Sequence, residues 1–250
     1  MARPPKPGKC VHCLKHADER NWDHVFPESW YQKSTPLNLA KWQIPSCIPC
    51  NRRLGKIESD FLLKVSMCLD PHDPASSDIV AKALRSLKPQ FARTASDVRA
   101  REALAKRFTS GILQGDQIPA EGHYPNLGER WGRSPGSGMA VPIPVESFQA
   151  ITEKIVRGLE YYEHKRFIDP PYGVKFFALT DQSAEPVRAR LDEHGEEFAR
   201  EPGIIVRRLL EPVDRVTALY ELRFWKQFTT FAAVESDANL AFQRTAFGSR

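Results

Sequence analysis

The chain has 250 residues, 41% hydrophobic and 27% charged, with a formal net charge of +5. That balance supports a packed core without disulfide staples, as one large or two small folding units. It holds no apolar run of the roughly 18 residues a membrane helix needs, so no membrane partner is expected.

The N-terminal stretch Met1–Pro7 is basic and proline-rich without an apolar segment. No secretory signal is expected from it, and the cytoplasm is the expected compartment. The positive charge is uneven. Residues 1–60 hold ten Lys/Arg and six Asp/Glu, a difference that supplies +4 of the +5. A basic first quarter suits a polyanion such as nucleic acid, although a solvated charged face gives the same count.

Four of the five cysteines form two Cys-x-x-Cys pairs, Cys10-Val11-His12-Cys13 and Cys47-Ile48-Pro49-Cys50. Each pair can turn two sulfurs toward one ion, and two pairs give the tetrahedral thiolate set that zinc prefers. A structural Zn²⁺ on Cys10, Cys13, Cys47 and Cys50 is therefore expected. A disulfide reading is weak for a chain expected in a reducing compartment. A redox motif would explain one pair but not both. Cys68, in the run Phe61–Leu69, reads as a small buried hydrophobe.

Between the pairs, Trp22–Phe26 predicts a short strand closed by Pro27, and residues 31–38 a polar loop. Lys41-Trp42-Gln43-Ile44-Pro45 predicts a second strand. A helix is predicted from Asn51 to about Leu69, with Leu54, Ile57, Phe61 and Val65 at spacings of three and four. The adjacent Asp23 and His24 should project to opposite faces of a straight strand.

The order knuckle, strand, loop, strand, knuckle, helix resembles the HNH endonuclease family, with its ββα-metal site on a treble-clef scaffold. The resemblance rests on Cys10-x-x-Cys13, Asp23-His24-Val25-x-Pro27 and Cys47-x-x-Cys50-Asn51, and covers about residues 8–60. It implies a metal-dependent endonuclease that hydrolyses phosphodiester bonds, with DNA the expected partner and RNA left open. The setting it implies is restriction, phage defence or mobile-element biology. It implies His24 as general base, and Asp23 and Asn51 as catalytic ligands of Mg²⁺ or Mn²⁺, with the zinc remote from the chemistry. Either Asn38 or Trp42 would brace the loop. Glu58, two turns beyond Asn51 and about 10 Å along the helix, is too far to share that ion and reads as an ion-pair partner. Lys41, Arg52, Arg53 and Lys56 are candidate phosphate contacts. The alternative reading is a non-catalytic zinc finger that binds nucleic acid or protein.

The remainder is plainer. Residues 70–78 read as a loop, 79–88 and 96–108 as helices broken at Pro89, and 114–140 as a Gly/Pro-rich connection. Then come an amphipathic helix (Phe148, Ile151, Ile155, Leu159, Tyr162) and a strand Val174–Thr180. A second helix opens at Pro186 and buries Val187, Leu191, His194 and Phe198. Strands follow at Ile204–Leu210, Val216–Trp225 and Thr229–Val234. The expected class is α+β in three parts: a nuclease domain over 1–69, a helical segment and linker over 70–140, and a small α+β domain over 141–250. That last domain is a candidate surface for a homodimer or a partner protein.

Overall fold

Two hairpins open the chain. The computed structural model describes residues 3–70, 72–74, 76–118, 139–179, 181–200, 203–225 and 227–236. Strands β1 (Gly8–Lys9) and β2 (His16–Ala17) pair on either side of the first knuckle. Strands β3 (Arg20–His24) and β4 (Gln43–Cys47) pair antiparallel, Asp23 opposite Ile44 and His24 opposite Gln43. Helix α1 (Ile48–Ser66) follows without a gap. It starts three residues before the predicted Asn51 because Pro49 is well placed in a first turn, where its missing N–H costs nothing. Cys50 thus lies inside the helix.

Helices α2 (Ser77–Ser86) and α3 (Ala95–Ser110) match the two predicted over 79–108. Thr94 caps α3 by accepting from the Asp97 N–H at 3.1 Å. Two-residue strands β5 (Leu113–Gln114) and β6 (Met139–Ala140) pair with each other. Residues 119–138, the centre of the predicted connection, lie outside the described residues.

Helix α4 (Val145–His164) ends at Lys165, which takes the left-handed conformation that closes helices. Strand β7 (Tyr172–Phe177) begins two residues before its predicted start; Thr180, its predicted end, lies outside the described residues. Helix α5 (Asp181–His194) contains Pro186 rather than opening on it, and His194 is exposed rather than buried. The segment after it is a strand, β8 (Glu196–Arg200), so Phe198 packs from the sheet and not from a helix. Strands β9 (Ile204–Leu210), β10 (Ala218–Phe224) and β11 (Phe228–Ser236) complete an antiparallel sheet of order β7-β11-β10-β9-β8. The α+β class is as expected.

Alternation along the strands gives the sheet two apolar faces. Ala218, Tyr220, Leu222 and Phe224 turn toward α4, while Leu219 turns toward α5 with Leu209, Phe177 and Phe231. The first face does not stop at α4. One apolar cluster runs from Val25, Phe26, Trp30 and Ile44 of the hairpin region, through Phe61 of α1 and Ile151, Ile155 and Leu159 of α4, to the sheet. The ranges 1–69 and 141–250 therefore meet across a shared core.

Helix α4 is buried nearly all round because it lies between hairpin and sheet. Gly158 makes that fit. A Cβ built there would meet Val25 Cγ2 at 3.1 Å and Ile44 Cδ1 at 3.3 Å. Gly158→Val is expected to destabilise the chain by about 1–3 kcal/mol through overpacking, read as a lower midpoint in urea. A variant as stable as the parent would show that the hairpin can retreat.

Candidate functional site

The described residues contain a four-thiol cluster. The Sγ atoms of Cys10, Cys13, Cys47 and Cys50 lie within 4.8 Å of one another. Cys13 and Cys47 Sγ are 3.8 Å apart, and a tetrahedron of zinc–sulfur bonds near 2.3 Å has edges of about 3.8 Å. The Cys47 N–H donates to Cys10 Sγ at 3.3 Å. Burial works to raise the Cys10 thiol, but backbone N–H groups of Cys47, Cys13 and His12 outweigh it and bring it down to about 7. Burial pushes the Cys50 thiol up, with its neighbouring sulfurs adding to the effect. A central cation relieves that crowding of sulfurs, and these four could hold a zinc ion. Cys68 is half-buried, and burial pushes its thiol up to about 11, as suits an unreactive side chain.

The cluster fixes the hairpin. The Val11 N–H donates to the Pro45 carbonyl at 3.2 Å, docking the first knuckle on β4, and Cys47 and Cys50 join β4 to α1. Trp42, buried, stacks on Tyr162 at 5.1 Å and leans on Phe26 at 5.6 Å, while Asn38 is exposed. Of the two brace candidates, it is Trp42 that packs between hairpin and α4.

Asp23 and His24 point to opposite sides of β3. Asp23 is buried. Its Oδ2 accepts from His12 Nε2 at 2.8 Å and its Oδ1 from Lys154 Nζ at 2.8 Å. Lys154 also donates to Glu58 Oε1. Burial works to raise the Asp23 carboxyl, but the His12 hydrogen bond and the Lys154 charge outweigh it and hold it below its usual range. Burial lowers the His12 imidazole, so it is neutral and donates. Burial pushes the Glu58 carboxyl up, against the pull of Lys154. The two carboxyls that share Lys154 are thus shifted in opposite directions, Asp23 down and Glu58 up.

His24 is half-buried, and the Gln43 side-chain amide lies 2.9 Å from its Nε2. An amide NH₂ can only donate, so Nε2 accepts and Nδ1 carries the proton. Burial lowers the His24 pKa, and the Glu28 and Asp23 carboxylates only partly offset this. The imidazole is neutral at pH 7. Asn51 Nδ2 donates to Asn21 Oδ1 at 3.0 Å and reaches the Trp22 carbonyl at 3.5 Å. The side chain of Asn51 therefore lies against β3 near Asp23, but tied to other groups.

No protein-family model, curated protein or solved structure matches the chain.

The fit of a divalent ion on Asp23 can be tested on this geometry. A hard cation needs free oxygen lone pairs at 2.0–2.6 Å. Both Asp23 oxygens already accept, one from an ammonium whose charge would repel the ion. As arranged, Asp23 and Asn51 do not offer a divalent-ion site. The basic candidates differ among themselves. Arg52, Arg53 and Lys56 are exposed on α1. Lys41 pairs with Glu28 at 2.7 Å and lies over the Tyr31 ring.

Sequence reasoning gave no role to His12 or Lys154. The signal for Lys154 was present: it sits three residues after Ile151 and four before Gly158, on the apolar stripe of α4. A lysine there must have buried partners. Glu58 has the ion-pair role expected for it, with Lys154 as the partner.

Proposed function

We propose that the chain is an HNH-type nuclease that hydrolyses phosphodiester bonds of nucleic acid, DNA in the first place. The observation that supports this is the placement of a neutral imidazole, His24, at the end of a hairpin that a four-thiol cluster clamps to a basic helix. His24 takes the proton of the attacking water at Nε2, once the Gln43 amide that donates to that nitrogen turns away. Arg52, Arg53 and Lys56, exposed on α1, neutralise phosphates of the bound strand. No step is assigned to a divalent ion, because Asp23 and Asn51 do not present one. Restriction, defence against phage or mobile-element biology is the setting that such an activity fits.

The test is incubation of zinc-loaded protein with plasmid, with and without Mg²⁺ or Mn²⁺, beside His24→Ala. Nicking or cutting that His24→Ala reduces at least 100-fold, with zinc content unchanged, is expected. Equal activity in the variant removes His24 from the reaction. A base must be unprotonated, and the lowered pKa of His24 keeps it so into mild acid. The acid limb of kcat/KM should therefore lie below pH 6.5, and an acid limb above 6.5 would contradict the role.

A second reading is favoured by the sequestered Asp23 carboxylate: a zinc-supported module that binds nucleic acid and leaves it intact. It predicts salt-sensitive binding that Arg52→Ala and Arg53→Ala weaken, with no product under any metal.

A further inference from the structure

The cation that neutralises Asp23 belongs to the chain itself. Lys154 has a side chain 1% exposed, and its ammonium bridges Asp23 Oδ1, at 2.8 Å, and Glu58 Oε1. The two carboxylates come from β3 and α1, and the lysine from α4, across the shared core. Without the lysine, the buried Asp23 carboxylate and the half-buried Glu58 carboxylate facing one point are the kind of oxygen donor set that hard cations take. An ion bound to Asp23 Oδ1 at 2.0–2.6 Å on the side facing Glu58 would overlap the ammonium, 2.8 Å from the same atom. The two cations exclude each other by size and by charge. His12 lies 2.8 Å from the other oxygen of Asp23, so each oxygen already has a partner within the chain.

Withdrawal of Lys154 is opposed by its surroundings. Ile151, Ile155, Val156 and Leu159 flank it on α4, all within 1% of full burial. Moving the ammonium out would leave the buried Asp23 carboxylate without its cation. We infer that Lys154 is the resident cation of the Asp23–Glu58 pair and closes it to divalent ions. The inference is separate from the nuclease reading, since it concerns which cation the pair holds and not whether a bond is cut.

Titration of zinc-loaded protein with Mn²⁺, followed by the loss of the free-ion electron paramagnetic resonance signal, tests it. The parent is expected to hold no Mn²⁺ that Asp23→Asn removes. Lys154→Ala is expected to gain one Mn²⁺ per chain, and to lose it again when Asp23→Asn is added. Lys154→Arg, which keeps a cation in place, should behave as the parent. A parent that binds one Mn²⁺ on Asp23 overturns the inference. So does a Lys154→Ala chain that retains its zinc and native circular dichroism but takes up no Mn²⁺. If Lys154→Ala does not fold, the parent titration with its Asp23→Asn control decides alone. Cutting that requires Mn²⁺ on Asp23 would overturn this inference and uphold the nuclease. Absence of both cutting and Mn²⁺ uptake would do the reverse.

Discussion

Cys47→Ser is expected to lose zinc and unfold most of the chain. Structural zinc in small finger peptides contributes about 10–16 kcal/mol, against total stabilities of about 5–15 kcal/mol for ordinary domains. Cys47 is the hinge of the arrangement: last residue of β4, N-cap of α1 and donor of an N–H to Cys10 Sγ. Losing it frees the hairpin from the helix. The hairpin then withdraws Val25 and Ile44 from α4, so the loss spreads to the C-terminal half. Metal analysis beside far- and near-ultraviolet circular dichroism checks this. A Cys47→Ser protein that keeps native spectra without zinc would show the cluster to be dispensable.

Trp30→Ala is expected to cost about 3–5 kcal/mol, the usual range for emptying a large aromatic site. Trp30 is fully buried. It stacks on Phe61 of α1 at 5.7 Å and touches Phe224 at the end of β10 and Trp225 in the turn after it, at 5.8 and 5.5 Å. It is thus the rivet between the two halves, and few neighbours can collapse into the space it leaves. Equilibrium unfolding in urea, with zinc held constant, measures the cost. A loss below about 1 kcal/mol would mean that the halves are held together elsewhere.

What the sequence disclosed and what it hid divide along a physical line. Paired cysteines, the hairpin around Asp23 and His24, and the alternation from Ala218 to Phe224 are local patterns, and each stands where its spacing put it. Strand β8 was hidden because Phe198 continues a helical spacing from Leu191 and His194, and only pairing with β9 decides against it. The start of α1 was hidden because Cys50 reads as a loop knuckle while Pro49 allows a first turn. The shared core was hidden for a deeper reason. The Gly/Pro-rich stretch after α3 suggests separation, but nothing in a linear pattern tells which apolar faces meet. Likewise Asp23 reads as an open ligand until the helix carrying Lys154, 131 residues away, is laid against it.

The contact at Gly158 carries a consequence for ancestry and engineering. The cysteine-clamped hairpin is not a cassette that recombination can lift out and graft onto a new protein, because its inner side is shaped to a helix from the far end of the chain. Any descendant that inherits residues 1–69 must inherit α4 as well, or redesign the side that this helix covers.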